Sequence, residues 1–432
     1  MAVTELAPDA PTVAHAGILR RQTPREPSAR TYARSLPVVP VRARGLTIEG
    51  ADGRRYLDCL SGAGTLALGH NHPVVLEAIR KVLDSGAPLH VPDLATPVED
   101  AFTAELLATL PAGFAAGARV RFCGPTAADA VGSALALART ATGRDRALTF
   151  TGTGHDAWTA ELSEGGGGRA GRTIPAALLL EPVQDEGGVI PAPDAWLRAI
   201  RRITADRSIA LIADETRTGV GRTGAFWAVE HSGITPDVMV LSQAIGGSLP
   251  LSVIVHRPDL DGPLPDGRAD AFRGNQLAMA AGAATLAYVR EHRLAERAAA
   301  LGAHLLGKLG ELALHHPRVG GVRGRGLMIG VELVAPAAGD PAPPAPALAA
   351  AVQQECLRRG LIVGLGGHRA SVVRLLPPLT LTDEQADAVL DRFADALDAA
   401  LALSGPDAPP EAAAAPRAAS AGPRRKEAGL SR

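Results

Sequence analysis

Four short apolar runs, Ala177–Leu180, Ile209–Ala213, Val238–Leu241 and Ser252–Val255, recur among stretches of helical period, and this alternation most limits the folds open to the chain. Apolar runs this short, closed off by polar turns, have the length of buried strands, whereas the apolar positions of Asp194–Thr204 and Leu277–Glu291 fall at helical spacing. Upstream, Val75, Ala78, Ile79, Val82 and Leu83 mark a helix over His72 to Asp84. A second helix opens at Asp129 and ends at Gly143, and Val41 to Leu60 alternates as strands around the turn Ala51-Asp52-Gly53. Strand and helix in turn predict an α/β fold with a mostly parallel sheet covered on both faces.

A small C-terminal α/β module is expected from strands near Leu327–Leu333, Leu361–Val363 and Val372–Leu375. Its last helix spans Asp383–Leu401, with Thr382 as N-cap. Pro263 to Arg273 reads as a turn-rich connection and Ala335 to Ala345 as a Pro/Ala linker. Beyond Ser404 the chain has no periodicity and reads as a disordered tail, whose Arg424-Arg425-Lys426 is a solvated charge run before it is a contact for an acidic partner.

The balance of charge excludes some function classes. A formal net charge of −1 gives no argument for nucleic acid or an anionic membrane as partner. No uncharged apolar stretch is long enough to span a bilayer, and the segment holding Glu5, Pro8, Asp9 and Pro11 lacks an apolar signal core. Cys59, Cys123 and Cys356 show neither metal spacing nor a disulfide framework, which fits a reducing, cytoplasmic setting.

In open α/β sheets ligands collect at the carboxyl ends of strands. Glu181 follows one apolar run and Asp214-Glu215 follows the next, leading into the glycine-rich Thr216-Arg217-Thr218-Gly219-Val220-Gly221-Arg222-Thr223-Gly224. A lone carboxylate there can simply cap a helix or pair with an arginine; two successive strands ending this way point to a ligand site.

The segment Asp214–Gly219 resembles the signature of class III aminotransferases, enzymes built on pyridoxal phosphate (PLP). So do Glu181-Pro182-Val183-Gln184-Asp185-Glu186-Gly187-Gly188, Phe272-Arg273-Gly274-Asn275-Gln276, Gly324–Gly330, Val373–Leu379 and Leu241–Pro250. Within that class Ser61–Pro73 and Phe122–Thr126 look most like the diaminobutyrate–2-oxoglutarate aminotransferases.

The resemblance runs from about Arg20 to Leu401 and implies PLP fold type I. It implies an arm with small-domain strands over 1–60, a large PLP-type domain over 61–305, a small domain over 306–403 and the tail over 404–432. It further implies PLP as cofactor, a dimer with shared sites, and an amino acid and a 2-oxo acid as substrates. Asp214 would pair with the pyridine nitrogen, and Arg374 would hold the substrate carboxylate, a planar anion that suits an arginine fork; a structural ion pair is the other reading of Arg374, and the motif context favours the first. Thr126, Ala127 and Ala128 would meet the phosphate, and Glu181, Arg217 and His155 would line the cofactor. Phe272 would belong to the loop that closes over the phosphate from the neighbouring subunit.

Several positions depart from the family pattern. Gln243 stands where the family has the lysine that forms the Schiff base, and a glutamine amide is neither nucleophilic nor titratable near neutrality. Thr126-Ala127-Ala128 replaces a Ser/Thr-Gly turn, Gly154 replaces the aromatic that stacks on the ring, with Asp156 close by, and Ala271 replaces a phosphate-binding threonine. Trp158 to Thr173 is short and glycine-rich where the family usually has a longer wall segment.

These changes converge on one ligand and predict a degenerate PLP site with weak or no conventional transamination. Two other roles stand beside this: a non-catalytic subunit paired with an active paralogue, and an enzyme using PLP or pyridoxamine phosphate without a covalent link. In the latter, His155 and His256 are candidate bases, although a core or surface position is the commoner fate of a histidine. A single lysine replacement in an otherwise intact transaminase is argued against by the other changes.

Overall fold

The computed structural model describes residues 36–150, 174–262, 272–336, 342–367 and 369–404. The described residues begin with a meander of β1 (Pro40–Arg44), β2 (Thr47–Gly50) and β3 (Arg55–Asp58), followed by α1 (Pro73–Asp84) and α2 (Pro97–Thr109). Then come β4 (Arg119–Phe122), α3 (Ala127–Thr142), β5 (Ala147–Thr149), β6 (Ala177–Leu180) and a two-stranded hairpin, β7 (Val183–Gln184) with β8 (Ile190–Pro191). Next are α4 (Asp194–Asp206), β9 (Ala210–Asp214), β10 (Val238–Ser242), β11 (Ser252–His256), α5 (Gln276–Glu291) and α6 (Leu294–His315). The last elements are β12 (Val319–Arg325), β13 (Met328–Leu333), α7 (Pro346–Arg358), β14 (Leu361–Ile362), β15 (Gly364–Gly366), β16 (Val372–Leu375) and α8 (Asp383–Ser404).

The main sheet has the order β4-β11-β10-β9-β6-β5. Pairing is parallel from β5 through β6 and β9 to β10, and antiparallel where β11 meets β10 and β4. The mostly parallel sheet is therefore as expected, with one strand, Ser252–His256, running the other way. Every residue of β10 and β11 is buried, as near-continuous apolar runs at the centre of a covered sheet require. The core beneath the helices includes Phe102, Leu106, Trp227 and Phe393, all fully buried.

Two further four-stranded sheets complete the framework, β1-β2-β3-β14 and β12-β13-β16-β15. The first ties the N-terminal meander to a strand some three hundred residues later, with Leu57 opposite Leu361. α3 starts at Ala127, two residues earlier than the apolar periodicity indicated. Thr126 accepts the Asp129 N–H while the Asp129 carboxylate accepts the Thr126 N–H, a reciprocal cap, and Gly143 closes the helix with φ +65°. Thr382 caps the last helix in the same reciprocal way with Gln385, and that helix extends to Ser404. The tail, most of the turn-rich connection and the middle of the Pro/Ala linker lie outside the described residues. Among those described, no helix is long and apolar enough to cross a membrane.

Candidate active site

Strand direction gathers the sequence-nominated residues on one edge. Asp214 is the last residue of β9, and Val240 of β10 sits opposite it, so Gln243 emerges three positions on from the neighbouring strand. Leu180 pairs with Ala213, placing Glu181 beside Asp214. Phe122 of β4 pairs with Val253 and Ser242 with Ser252, so Thr126 and the start of α3 share the same edge. Along the carboxyl edge the order is thus Thr126, Gln243, Asp214, Glu181.

Gln243 opens a 3₁₀ turn (Gln243–Gly246) with φ +57°, a left-handed conformation that costs a non-glycine residue about 1 kcal/mol. Its amide oxygen is buried and has no hydrogen-bond partner. The turn around Gly64 comes close above it, since a Cβ on Gly64 would stand 3.9 Å from that oxygen.

Asp214 accepts the Thr216 N–H at 2.9 Å, and burial holds its carboxyl above the ordinary range, opposed by Thr216 and the Arg217 charge. Glu181 is pushed up to about 7, first by burial and also by the charges of Asp214 and Asp185, against the Asp185 N–H it accepts at 3.1 Å.

Arg374 lies on β16, in a different sheet, and reaches this edge through the β7–β8 hairpin. The hairpin tip is fixed from below: Arg323 Nε donates to the Gly188 carbonyl at 2.9 Å and the Gly367 N–H to the Glu186 carbonyl at 3.1 Å. Arg374 Nη1 then donates to Asp185 Oδ2 at 2.7 Å, and Arg217 donates to the same oxygen. Sequence reasoning nominated both arginines but missed Asp185, their common partner; the only signal was a carboxylate inside an otherwise family-like motif.

Of the remaining candidates, Phe272 is 69% exposed and makes a tilted ring contact with His90, 6.2 Å between centroids. His256 corrects one expectation. It is the last residue of the antiparallel strand, opposite Val238 at the far edge of the sheet, fully buried with Nδ1 2.9 Å from the Arg257 carbonyl, and so it is a core histidine and no base for this site. His155, Gly154, Asp156 and Ala271 lie outside the described residues.

These residues meet PLP unevenly. Asp214, a desolvated carboxylate at a strand end, fits a protonated ring nitrogen, and the orphan Gln243 oxygen fits a hydrogen-bond donor. The Ala127 and Ala128 amides, first in α3, have no intrahelical acceptor and fit an anion, yet the Asp129 carboxylate already sits at that helix end. A covalent link does not fit, because residue 243 carries no amine.

Comparison with known proteins agrees with the fold. The family described as Aminotransferase class-III matches residues 28–167 and 169–397, and the chain belongs to this family, whose cofactor is PLP. Among its relatives, a diaminobutyrate–2-oxoglutarate aminotransferase of Rhizobium meliloti (strain 1021) is 46% identical, covering 88% of this chain and 92% of the relative. One of the same name from Haemophilus influenzae is 38% identical over 87% of this chain and 93% of its own. Of solved structures, an (S)-enantioselective omega-transaminase from Thermomicrobium roseum superposes with TM-score 0.77 at 26% identity, covering 89% of this chain and 99% of that one.

Proposed function

We propose that this chain is an aminotransferase homologue of the diaminobutyrate–2-oxoglutarate type whose cofactor site is degenerate, so that conventional transamination is weak or absent. The observation that carries the reading is Gln243: at the strand end beside Asp214, where the family resemblance places the cofactor lysine, stands a neutral amide whose oxygen is buried without a partner. The names of the relatives support the substrate class, a diamino acid as amino donor and 2-oxoglutarate as acceptor.

On this reading Asp214 would hold the ring nitrogen, the Ala127 and Ala128 amides with Thr126 would hold the phosphate, Glu181 and Arg217 would line the cofactor, and Arg374 would hold the substrate carboxylate. Bound PLP supplies an electron sink for a carbanion beside it. Gln243 can orient a donor but cannot carry a proton, so the proton-shuttling residue is missing from this set. The pairing of β3 with β14 supports a small domain built from both chain ends around a large domain over 61–305. Class III aminotransferases are commonly homodimers, and a homodimer or a heterodimer with an active paralogue belongs to the same proposal.

A second reading, an enzyme using PLP without a covalent link, is favoured by the combination of Asp214 and the orphan Gln243 oxygen. A PLP titration followed by absorbance, on the native chain and on Gln243→Lys, tests both. Reversible uptake by the native chain supports the non-covalent enzyme, and a gain only in the lysine variant places the defect at 243. Native transamination that Asp214→Ala abolishes refutes the degenerate-site reading.

A further inference from the structure

The amino edge of the main sheet, opposite the edge that carries Asp214 and Gln243, holds a cavity of about 1080 Å³. It lies between α4, the short turn of helix Ala112–Ala115 before β4, the segment leading into β10 and the residues that follow β11. Asp237, at this edge, and Gln243 stand at the two ends of β10. Six residues at about 3.3 Å each separate them by about 20 Å, so the cavity is no extension of the cofactor edge.

α4 turns Trp196, Leu197, Ile200 and Thr204 inward and leaves Arg198, Arg201 and Arg202, at positions i, i+3 and i+4, on one face that lines the cavity. Arg257 lines it from the other side. The two inner arginines have a structural duty. Arg201 donates to both oxygens of the buried Asp237, at 2.6 and 3.2 Å, and Arg257 Nη1 donates to the same carboxylate at 2.8 Å. Asp237 also accepts the Leu211 N–H at 2.8 Å, and Arg257 makes two further bonds to Asp259. That network is complete without Arg198 and Arg202. Arg198 reaches only the Ser232 carbonyl, at 3.4 Å, and Arg202 makes no ion pair among the described residues.

Four guanidiniums thus meet two carboxylates, Asp237 and Asp259, and two positive charges are left over in one concave space. Like charges gathered in a cleft with low-dielectric walls focus a field that an anion relieves. Arginine forks match the oxygens of a phosphate, and Arg201 and Arg257, pinned by Asp237, add fixed charge behind the two uncommitted side chains. The remaining wall includes Phe114, Ile234 and Pro258, an apolar surface that inorganic phosphate does not use. Pockets of roughly 300–1,000 Å³ take ligands well above the size of a single oxyanion.

We propose that this cavity is a second binding site, separate from the cofactor edge, for a phosphate ester of nucleotide size. Its phosphates meet Arg198 and Arg202, and its planar or apolar part rests against Phe114, Ile234 and Pro258.

The test uses the full-length chain with no cofactor added, and ADP, pyrophosphate and adenosine as probes. Calorimetry at about 50 mM salt compares the native chain with Arg198→Ala/Arg202→Ala and with Arg42→Ala/Arg44→Ala, which removes the same charge from exposed positions on β1. Both arginines of the first pair are exposed and alanine suits a helix, so that variant should fold; Arg198→Gln/Arg202→Gln carries the same readout if it does not. The native chain is expected to bind ADP more tightly than pyrophosphate and adenosine not at all. The α4 variant should bind ADP at least about tenfold more weakly, while the β1 variant binds as native. ADP held at the Thr126 helix end instead would be unmoved by the α4 substitutions. The proposal is overturned if the native chain does not bind ADP, or if the folded α4 variant binds it as native does. It is also overturned if the β1 variant loses as much, or if adenosine or pyrophosphate binds as tightly as ADP.

Discussion

Glu181→Gln should change how stability depends on pH more than it changes stability itself. In the folded chain burial lifts the Glu181 carboxyl from 4.5 to about 7, with the Asp214 and Asp185 charges adding to the rise. An acid raised in this way stabilises the fold while it is protonated: the contribution is complete below about pH 4.5 and is lost as pH climbs through about 7. At about 1.4 kcal/mol per pH unit, the span amounts to about 3 kcal/mol. Glutamine keeps an oxygen for the Asp185 N–H, which lies 3.1 Å from the carboxyl, and has no charge to desolvate. Urea unfolding at pH 5, 6, 7 and 8, with the slope checked for constancy, compares the two proteins. Near pH 5 they should be close, and by pH 8 the variant should be the more stable by up to about 3 kcal/mol. A pH dependence persists in the variant, because Glu215 is also pushed up to about 7 by complete burial. If the difference between variant and native does not change between pH 5 and pH 8, the Glu181 carboxyl is not desolvated as the structure places it.

Asp129→Asn removes the carboxylate at the start of α3 while keeping a side chain that caps; it should cost the helix under about 1 kcal/mol and tighten binding of PLP or inorganic phosphate about fivefold, read by absorbance titration with phosphate as competitor. Unchanged affinity would mean that the helix end does not face the phosphate. Gly282→Ala puts a Cβ 2.1 Å from the Ile245 carbonyl, in the turn that carries Gln243, and is expected to destabilise by about 1–3 kcal/mol in urea, whereas Gly307→Ala, with nothing within 4 Å, should stabilise by about 0.5–1 kcal/mol. Equal effects at the two glycines would show that α5 does not lie against the 243–246 turn.

What the sequence disclosed was mostly local. Glu181 and Asp214 were legible because a carboxylate directly ending an apolar run sits at a strand end wherever the strand goes. The start of α3 was misread at Asp129, because apolar spacing, which Ala127 and Ala128 do not carry, hid the Thr126–Asp129 cap that sets it at Ala127. Strand direction was not: nothing in Ser252–His256 says that it runs against its neighbours, and His256 consequently looked like a candidate base instead of a buried residue at the wrong edge. α6 was missed because Gly302, Gly307 and Gly310 dilute its helical signal, although Gly302 is there for close packing, a Cβ meeting the Gly326 carbonyl at 2.1 Å. The Asp185–Arg374 pair spans 189 positions and two sheets, a closure that no local pattern encodes.

The family-like motifs also need to be divided by what their residues touch. In the segment from Asp214 to Gly224, Glu215 is completely buried and accepts from the Thr218 hydroxyl, the Val229 N–H and the Ala228 N–H. Arg222 donates to the Leu327 and Pro377 carbonyls, and Gly219 makes room for Trp227, whose ring would meet a Cβ at 2.5 Å. Trp227 in turn donates to the Thr109 carbonyl at 3.0 Å. These contacts are demands of the fold and persist whether or not the site turns over, so the length of the resemblance measures folding constraint first. Three residues stand apart from these demands: Asp214, whose carboxylate is desolvated and only partly offset by Thr216 and the Arg217 charge; Gln243, strained and unsatisfied; and Asp185, which holds two arginines with half of its bonding capacity. Each carries a cost that packing does not explain, and a ligand is what such costs point to.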